Sequence, residues 1–414
     1  MIKQLMILLM TAALIAGCAD GNKVGNDANP QPLKNKSFAG QWTTRLSDAG
    51  SDPITAVYVT DQFVFAYRRG GTSTVIDRPS GRLLHIDGPM DGAVSMHPPV
   101  VLKDRIVYPT TTFLEVFDLR GRYIPHATRP TDELDKPFSQ DLKFPIRSDA
   151  VGSGKVVVLG ADSAGGGRAV EIDMTRPYAP ELWTLLEPAA SVSAEPAVVG
   201  DVVYIAAANG RVAAVTLENR TPLWGLESAE FVTYGPIVAN LAADETGLYV
   251  ASMDTKLYCL TRSNGKVKWQ YFAGRPLRDP PVVTKEMIYQ FAPGTGVAAI
   301  DKAQAITSQS PTYNREPRWV AADAVQFLSD DDRYAYVRSN DNHIVAIDKK
   351  TGQPAFTSER NDLTAFATST KGDGMTYCAS SAGEIIAVKP VLQPGLVGEV
   401  VMVPIAPQAV ALAH

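Results

Sequence analysis

Two stretches decide the fold: Gly247-LYVASMDTKLYCLTRSNGKVKW-Gln270 and Arg333-YAYVRSNDNHIVAIDKKTGQPAF-Thr357. Each runs an alternating apolar segment, a polar turn, a second alternating segment ending in Asp or a similar residue, a Gly turn and an aromatic. Period-2 alternation places successive side chains on opposite faces, so these segments are strands. Turns such as Asn264-Gly265 and Thr351-Gly352 join such strands as hairpins. Asp201-VVYIAAANGRVAAVTLENRTPLW-Gly225 gives the same string, and weaker copies begin at Val64, Ile106, Val156, Met287 and Met375. Starts at 64, 106, 156, 202, 248, 287, 334 and 375 make eight copies, 39 to 50 residues apart.

A further short apolar piece precedes each copy, often opened by proline, as at Pro98, Pro196, Pro236 and Pro280. Proline is tolerated at the first residue of a strand because no ladder donor is lost there. Each unit therefore holds about four strands, and a period of ~40–50 residues built this way is the signature of a propeller blade. Stacked sandwich domains need Greek-key spacing instead of a uniform four-strand unit. The expectation is an all-β, eight-bladed β-propeller of four-stranded antiparallel blades. Trp183, Trp224, Trp269 and Trp319 fall on the fourth strands of repeats three to six. Trp42 stands before the first repeat, while the eighth lacks a Trp of its own. The Trp42 strand is expected to complete the last blade, closing the ring and removing an open sheet edge. The Trp rings then pack between blades. A strand over Glu399–Ile405 is expected in the tail, and 406–414 is left unplaced.

The body is preceded by MIKQLMILLMTAALIAGC, in which Lys3 leads an apolar run from Leu5 to Ile15. That run is too short to span a bilayer and reads as a signal peptide over 1–17. Leu14-Ile15-Ala16-Gly17-Cys18 resembles the bacterial lipobox, which implies cleavage before Cys18 and lipid attachment to its thiol. Ala19, in place of an aspartate, points to the outer membrane. Residues 18–37 are polar and rich in Asn, Gly and Pro, the composition of a tether holding a 38–405 propeller off the membrane surface.

The repeat resembles the quinoprotein-type (PQQ-like) β-propeller repeat, most clearly over 248–269 and 334–352. That family contains quinone- and calcium-dependent dehydrogenases. It also contains propeller lipoproteins of the outer-membrane β-barrel assembly machinery, which act as scaffolds. The lipobox, tether, length and repeat number match the second group. The first group characteristically sets adjacent cysteines beside the quinone, and this chain has none. Cys259 and Cys378 lie on strands three blades apart and read as small buried hydrophobes. There is no Cys-x-x-Cys-His for haem and no His pairing for zinc among His85, His97, His126, His343 and His414. Gly165-Gly166-Gly167 lies between strands and reads as a wide hairpin, and Asp330-Asp331-Asp332 as a solvated loop.

Net charge is −5, from 39 basic and 44 acidic residues without a basic cluster, which removes the electrostatic footprint of nucleic-acid binding. The expectation is a monomeric ring within an envelope complex, anchored through Cys18 and binding proteins such as β-barrel assembly subunits. No catalytic, cofactor or metal site is assigned. The alternative readings are a quinoprotein-like redox enzyme and a carbohydrate- or surface-binding lipoprotein. Residues 122–150 and 303–320 are the expected contact loops, and exposed edge strands offer β-augmentation.

Overall fold

The computed structural model describes residues 26–27, 38–46, 52–89, 96–122, 138–142, 144–163, 166–174, 182–186, 190–225, 231–303 and 314–390. The signal peptide, Cys18 and the tail beyond residue 390, with its expected strand over Glu399–Ile405, lie outside them. The described residues form eight antiparallel sheets, seven of them built from consecutive strands. They are numbered here as blades 1 to 7 over 54–87, 100–141, 146–186, 197–224, 242–272, 282–321 and 324–357. Blade 8 is formed by 363–390 with 38–45. First strands of neighbouring blades touch, as Ile54–Val59 touches Leu363–Ala367 and Ile146–Ser153 touches Ala197–Val199, so they line the axis.

The second and third strands lie between sheets on both sides. Alternation is consequently weak there: Gly247–Ala251 and Thr376–Ser380 are buried at every residue. Doubly covered strands need apolar groups on both faces, and alanines such as Ala251 and Ala379 keep neighbouring sheets close. All eight repeat starts fall on or beside second strands. The strand expected from Pro236 begins later, at Ala242. Closure follows the sequence reading: Phe38–Arg45 pairs antiparallel with Glu384–Pro390, placing Trp42 opposite Ala387. Asn26–Asp27, within the stretch read as tether, pairs with Thr44 and Thr43.

Three tryptophans clasp one blade to the next through hydrogen bonds. Indole Nε1 of Trp42 donates to Arg78 O at 3.0 Å, Trp224 to Arg262 O at 2.8 Å and Trp319 to Lys349 O at 2.9 Å. Each acceptor lies one or two residues past the third strand of the following blade. The ring lies against the next turn's glycine, Gly81, Gly265 or Gly352, where a Cβ would come within 2.4, 2.8 or 2.3 Å. His85 takes the tryptophan's place against Gly121. In blade 4 the glycine is replaced by Arg220, also at positive φ, whose guanidinium lies 3.5 Å over Trp183 and pairs with Glu171. Basic side chains complete the clasp: buried Arg78 donates to Thr60 O, Tyr377 Oη, Ser369 Oγ and Asp373.

Candidate functional site

Chains entering first strands come from the preceding blade's fourth strand, so these connections and the second-to-third hairpins share one face of the ring. At that face, His97, Asp149, Glu195 and Asn240 stand at or just before the first strands of blades 2, 3, 4 and 5. His97 Nδ1 lies 2.9 Å from Asp149 Oδ1. The Asn240 amide donates to Asp149 Oδ2 at 2.8 Å and to Glu195 Oε2 at 3.2 Å, while its Oδ1 accepts from Glu195 N at 3.0 Å. Tyr67 of blade 1 donates its hydroxyl to His97 O at 2.8 Å, and its ring meets Tyr58 edge-on. One hydrogen-bonded chain thus crosses five blades at the mouth of the axis.

The chain carries excess acid. Desolvation, with Asp149 nearby, pushes the Glu195 carboxyl up to about 8, and burial followed by Asp149 pushes Tyr58 up to about 12. Folded Glu195 therefore keeps its proton where the unfolded side chain, near 4.5, has lost it. Stability from this group is fully present below about 4.5 and is lost as pH rises toward about 8. Glu195→Gln, which keeps an acceptor for Asn240, is expected to flatten that pH dependence. Thermal unfolding of both proteins between pH 5 and pH 8 checks it: the variant should gain more at pH 8 than at pH 5.

The outer part of this face, at blades 4 and 5, exposes large apolar side chains. Tyr234 is 95% exposed and Phe272 62%, with Val232 beside them. They are held firmly from beneath. Thr233 N donates to Gly210 O at 3.0 Å and Tyr234 N to Asp254 Oδ2 at 3.1 Å. Asp254 also accepts the Tyr258 hydroxyl at 2.8 Å, and Tyr258 packs edge-on against buried Phe231. On the other side of the 252–256 hairpin, Ala273 N and Leu277 N donate to Thr255 O and Ser252 O. Lys256 pairs opposite Phe272, and exposed Arg275 and Arg278 follow it. Exposed rings on a fixed frame lose little entropy on binding, which suits protein docking better than chemistry.

The expected contact loops are corrected where they are described. Within 122–150, Phe138–Asp141 is the fourth strand of blade 2 and Ile146–Ser153 opens blade 3, while 123–137 lies outside the described residues. Within 303–320, Trp319–Ala321 is a strand and Arg315 is buried, while 304–313 lies outside. Asp330 is also not solvated: it is buried and paired with Lys349, and Asp331 accepts from Tyr334 N and Tyr336 Oη. Gly166 and Gly167 open the third strand of blade 3, as a hairpin requires. His343 ends a hairpin as expected. Cys259 and Cys378 are buried free thiols pushed up to about 12 by burial. Among the described residues no three His, Cys, Asp or Glu side chains are arranged to hold a metal ion.

The sequence reading missed both parts of the face. His97-Pro98 and Glu195-Pro196 carried a signal, a polar side chain just ahead of a strand-opening proline. Nothing local distinguished Tyr234 and Phe272 from buried aromatics.

A family model described as "Outer membrane protein assembly factor BamB" matches residues 208–308. No curated protein matches the sequence. Among solved structures, BamB from Moraxella catarrhalis superposes with a TM-score of 0.61 at 15% identity, over 85% of this chain and 97% of that one. The C-terminal WD40 domain of Sif2 gives 0.57 at 14% identity, over 83% and 97%. The computationally designed Ika8 protein gives 0.56 at 16% identity, over 81% and 96%. These likenesses show the propeller fold, and the repeat resembles that of BamB.

Proposed function

We propose that this chain is a lipid-anchored envelope protein, held at the outer membrane through Cys18 and facing the periplasm. In this reading it is a non-catalytic scaffold that binds protein partners in outer-membrane protein assembly. The observation that carries the reading is the rigid face at blades 4 and 5, whose exposed Tyr234 and Phe272 lie inside the 208–308 segment that matches the assembly-factor model. Large rings exposed on both sides of one rigid hairpin suit a partner that covers the hairpin. The lipid would confine the ring to the membrane surface, raising its effective concentration toward membrane-bound partners.

In-cell crosslinking from the full-length, lipidated protein tests this. Tyr234→Ala with Phe272→Ala is expected to lower capture of β-barrel assembly subunits at least tenfold, since central aromatic anchors each contribute about 2 kcal/mol. The melting temperature should stay within about 1 °C, because exposed side chains contribute little to stability. Undiminished capture would remove the docking face; no assembly subunit in the wild-type capture would remove the assembly role.

A further inference from the structure

Blades 6 and 7 part at their outer strands to leave a groove of about 650 Å³. Its origin is local. The outer strand of blade 6, Trp319–Ala321, is three residues long, and the chain turns through Ala322-Asp323 straight into Ala324–Asp330. A longer strand would cover the flank of blade 7; instead Val337, Val345 and Ile347 floor a slot with Val320 on its wall. Among the described residues, Trp319–Ala321 is the terminal strand of its sheet and pairs on one side only, with Gly296–Asp301. One backbone edge is therefore left for another chain.

The mouth of the slot is acidic. Asp323 and Asp341 are exposed at its rim, and its lining includes no lysine or arginine among the described residues. Asp341 is held anionic: the Ser339 hydroxyl donates to its Oδ1 at 2.5 Å, keeping the carboxyl below its usual range. His343 is fixed beside it by Ser358 O, 2.8 Å from Nδ1, so that Nε2 lies 3.5 Å from Asp341 Oδ2. Apolar walls, an outer strand edge and carboxylates with no lysine or arginine in the lining select one kind of occupant.

We propose that this groove binds an extended basic segment of a partner protein. Alternate side chains of such a segment fall on opposite sides. Apolar ones enter the slot while Lys or Arg side chains reach Asp323 and Asp341, and the backbone runs beside Trp319–Ala321 as an added strand. The volume falls within the few-hundred to thousand Å³ range of ligand sites and suits a few residues. The site lies on blades 6 and 7, away from Tyr234 and Phe272, and does not rest on the assembly reading.

Methyl-labelled protein, in low salt, is titrated with two capped pentapeptides, Lys-Val-Lys-Val-Lys and Glu-Val-Glu-Val-Glu. The basic peptide is expected to shift the methyl resonances of Val320, Val337, Val345 and Ile347, and the acidic one to leave them in place. Asp323→Asn with Asp341→Asn should weaken the basic peptide roughly five- to tenfold, the sum of two exposed ion pairs. Both positions are on the surface, so the variant's unshifted control spectrum verifies its fold. Equal shifts from both peptides, shifts confined to other methyls, no shift at all, or unchanged affinity in the double variant would each overturn the proposal.

Discussion

Gly352→Ala is expected to destabilise the ring by about 3 kcal/mol or more, whereas Gly372→Ala costs about 1–2 kcal/mol. The two positions share a backbone conformation, with φ of +72° and +71°, so both substitutions carry the left-handed penalty of a residue with a Cβ. They differ in surroundings. At Gly372 an added Cβ meets nothing within 4 Å, while at Gly352 it lands 2.3 Å from Trp319 Cβ and 2.7 Å from Cγ. The indole cannot yield freely, because its Nε1 is bonded to Lys349 O and its ring packs beside Tyr289. Accommodating the methyl must break that bond or spread blades 6 and 7. Denaturant midpoints of the two variants measure the difference, which isolates the tryptophan contact from backbone strain. Equal losses would mean that the clasp carries little energy.

That clasp explains why the architecture could be read from the sequence. Fourth-strand tryptophans and turn glycines such as Gly81, Gly265 and Gly352 recur at the blade period because one packing problem is solved repeatedly. Where the solution changes chemistry the text fades: His85 replaces the indole, and Arg220 replaces the glycine and covers Trp183 instead. The weaker repeats are such substitutions, not a different fold. The functional face has no period. Asn240 bonds Asp149 and Glu195, 91 and 45 residues away in sequence, a proximity created only by the ring. Tyr234 and Phe272 alternate in sequence much as buried Tyr249 and Tyr271 do, and only the direction of the face separates them. The described parts of 122–150 and 303–320 hold strands, while Tyr234 sits on a short, hydrogen-bonded connection and Phe272 ends the fourth strand of blade 5.

Ring closure is where one indole counts most. Trp42→Ala is expected to cost about 5 kcal/mol, from a buried Trp truncation of about 3–5 kcal/mol and an orphaned carbonyl at Arg78. Trp224→Ala removes the same chemistry between blades 4 and 5, so the equilibrium losses of the two should be similar. Their consequences should not. Trp224 lies on a strand bound into the chain at both ends, but Phe38–Arg45 reaches blade 8 from the opposite terminus of the fold. Its ladder to Glu384–Pro390, the Trp42 contacts, the Thr44 hydroxyl's bond to Gly81 O and the packing of Phe38 against Tyr336 and Phe356 keep it there. Weakening it exposes an apolar edge, with Ile385 and Ile386 each next to a newly unpaired backbone, and such edges recruit strands from other molecules. Trp42→Ala should therefore deprotect the amides of 384–390 at free energies below global unfolding and form concentration-dependent oligomers, while Trp224→Ala does neither. Hydrogen exchange with size-exclusion chromatography distinguishes the cases. If both variants stay monomeric with equal protection over 384–390, the closing strand is held by its ladder and its other contacts, and Trp42 is one packing residue among several.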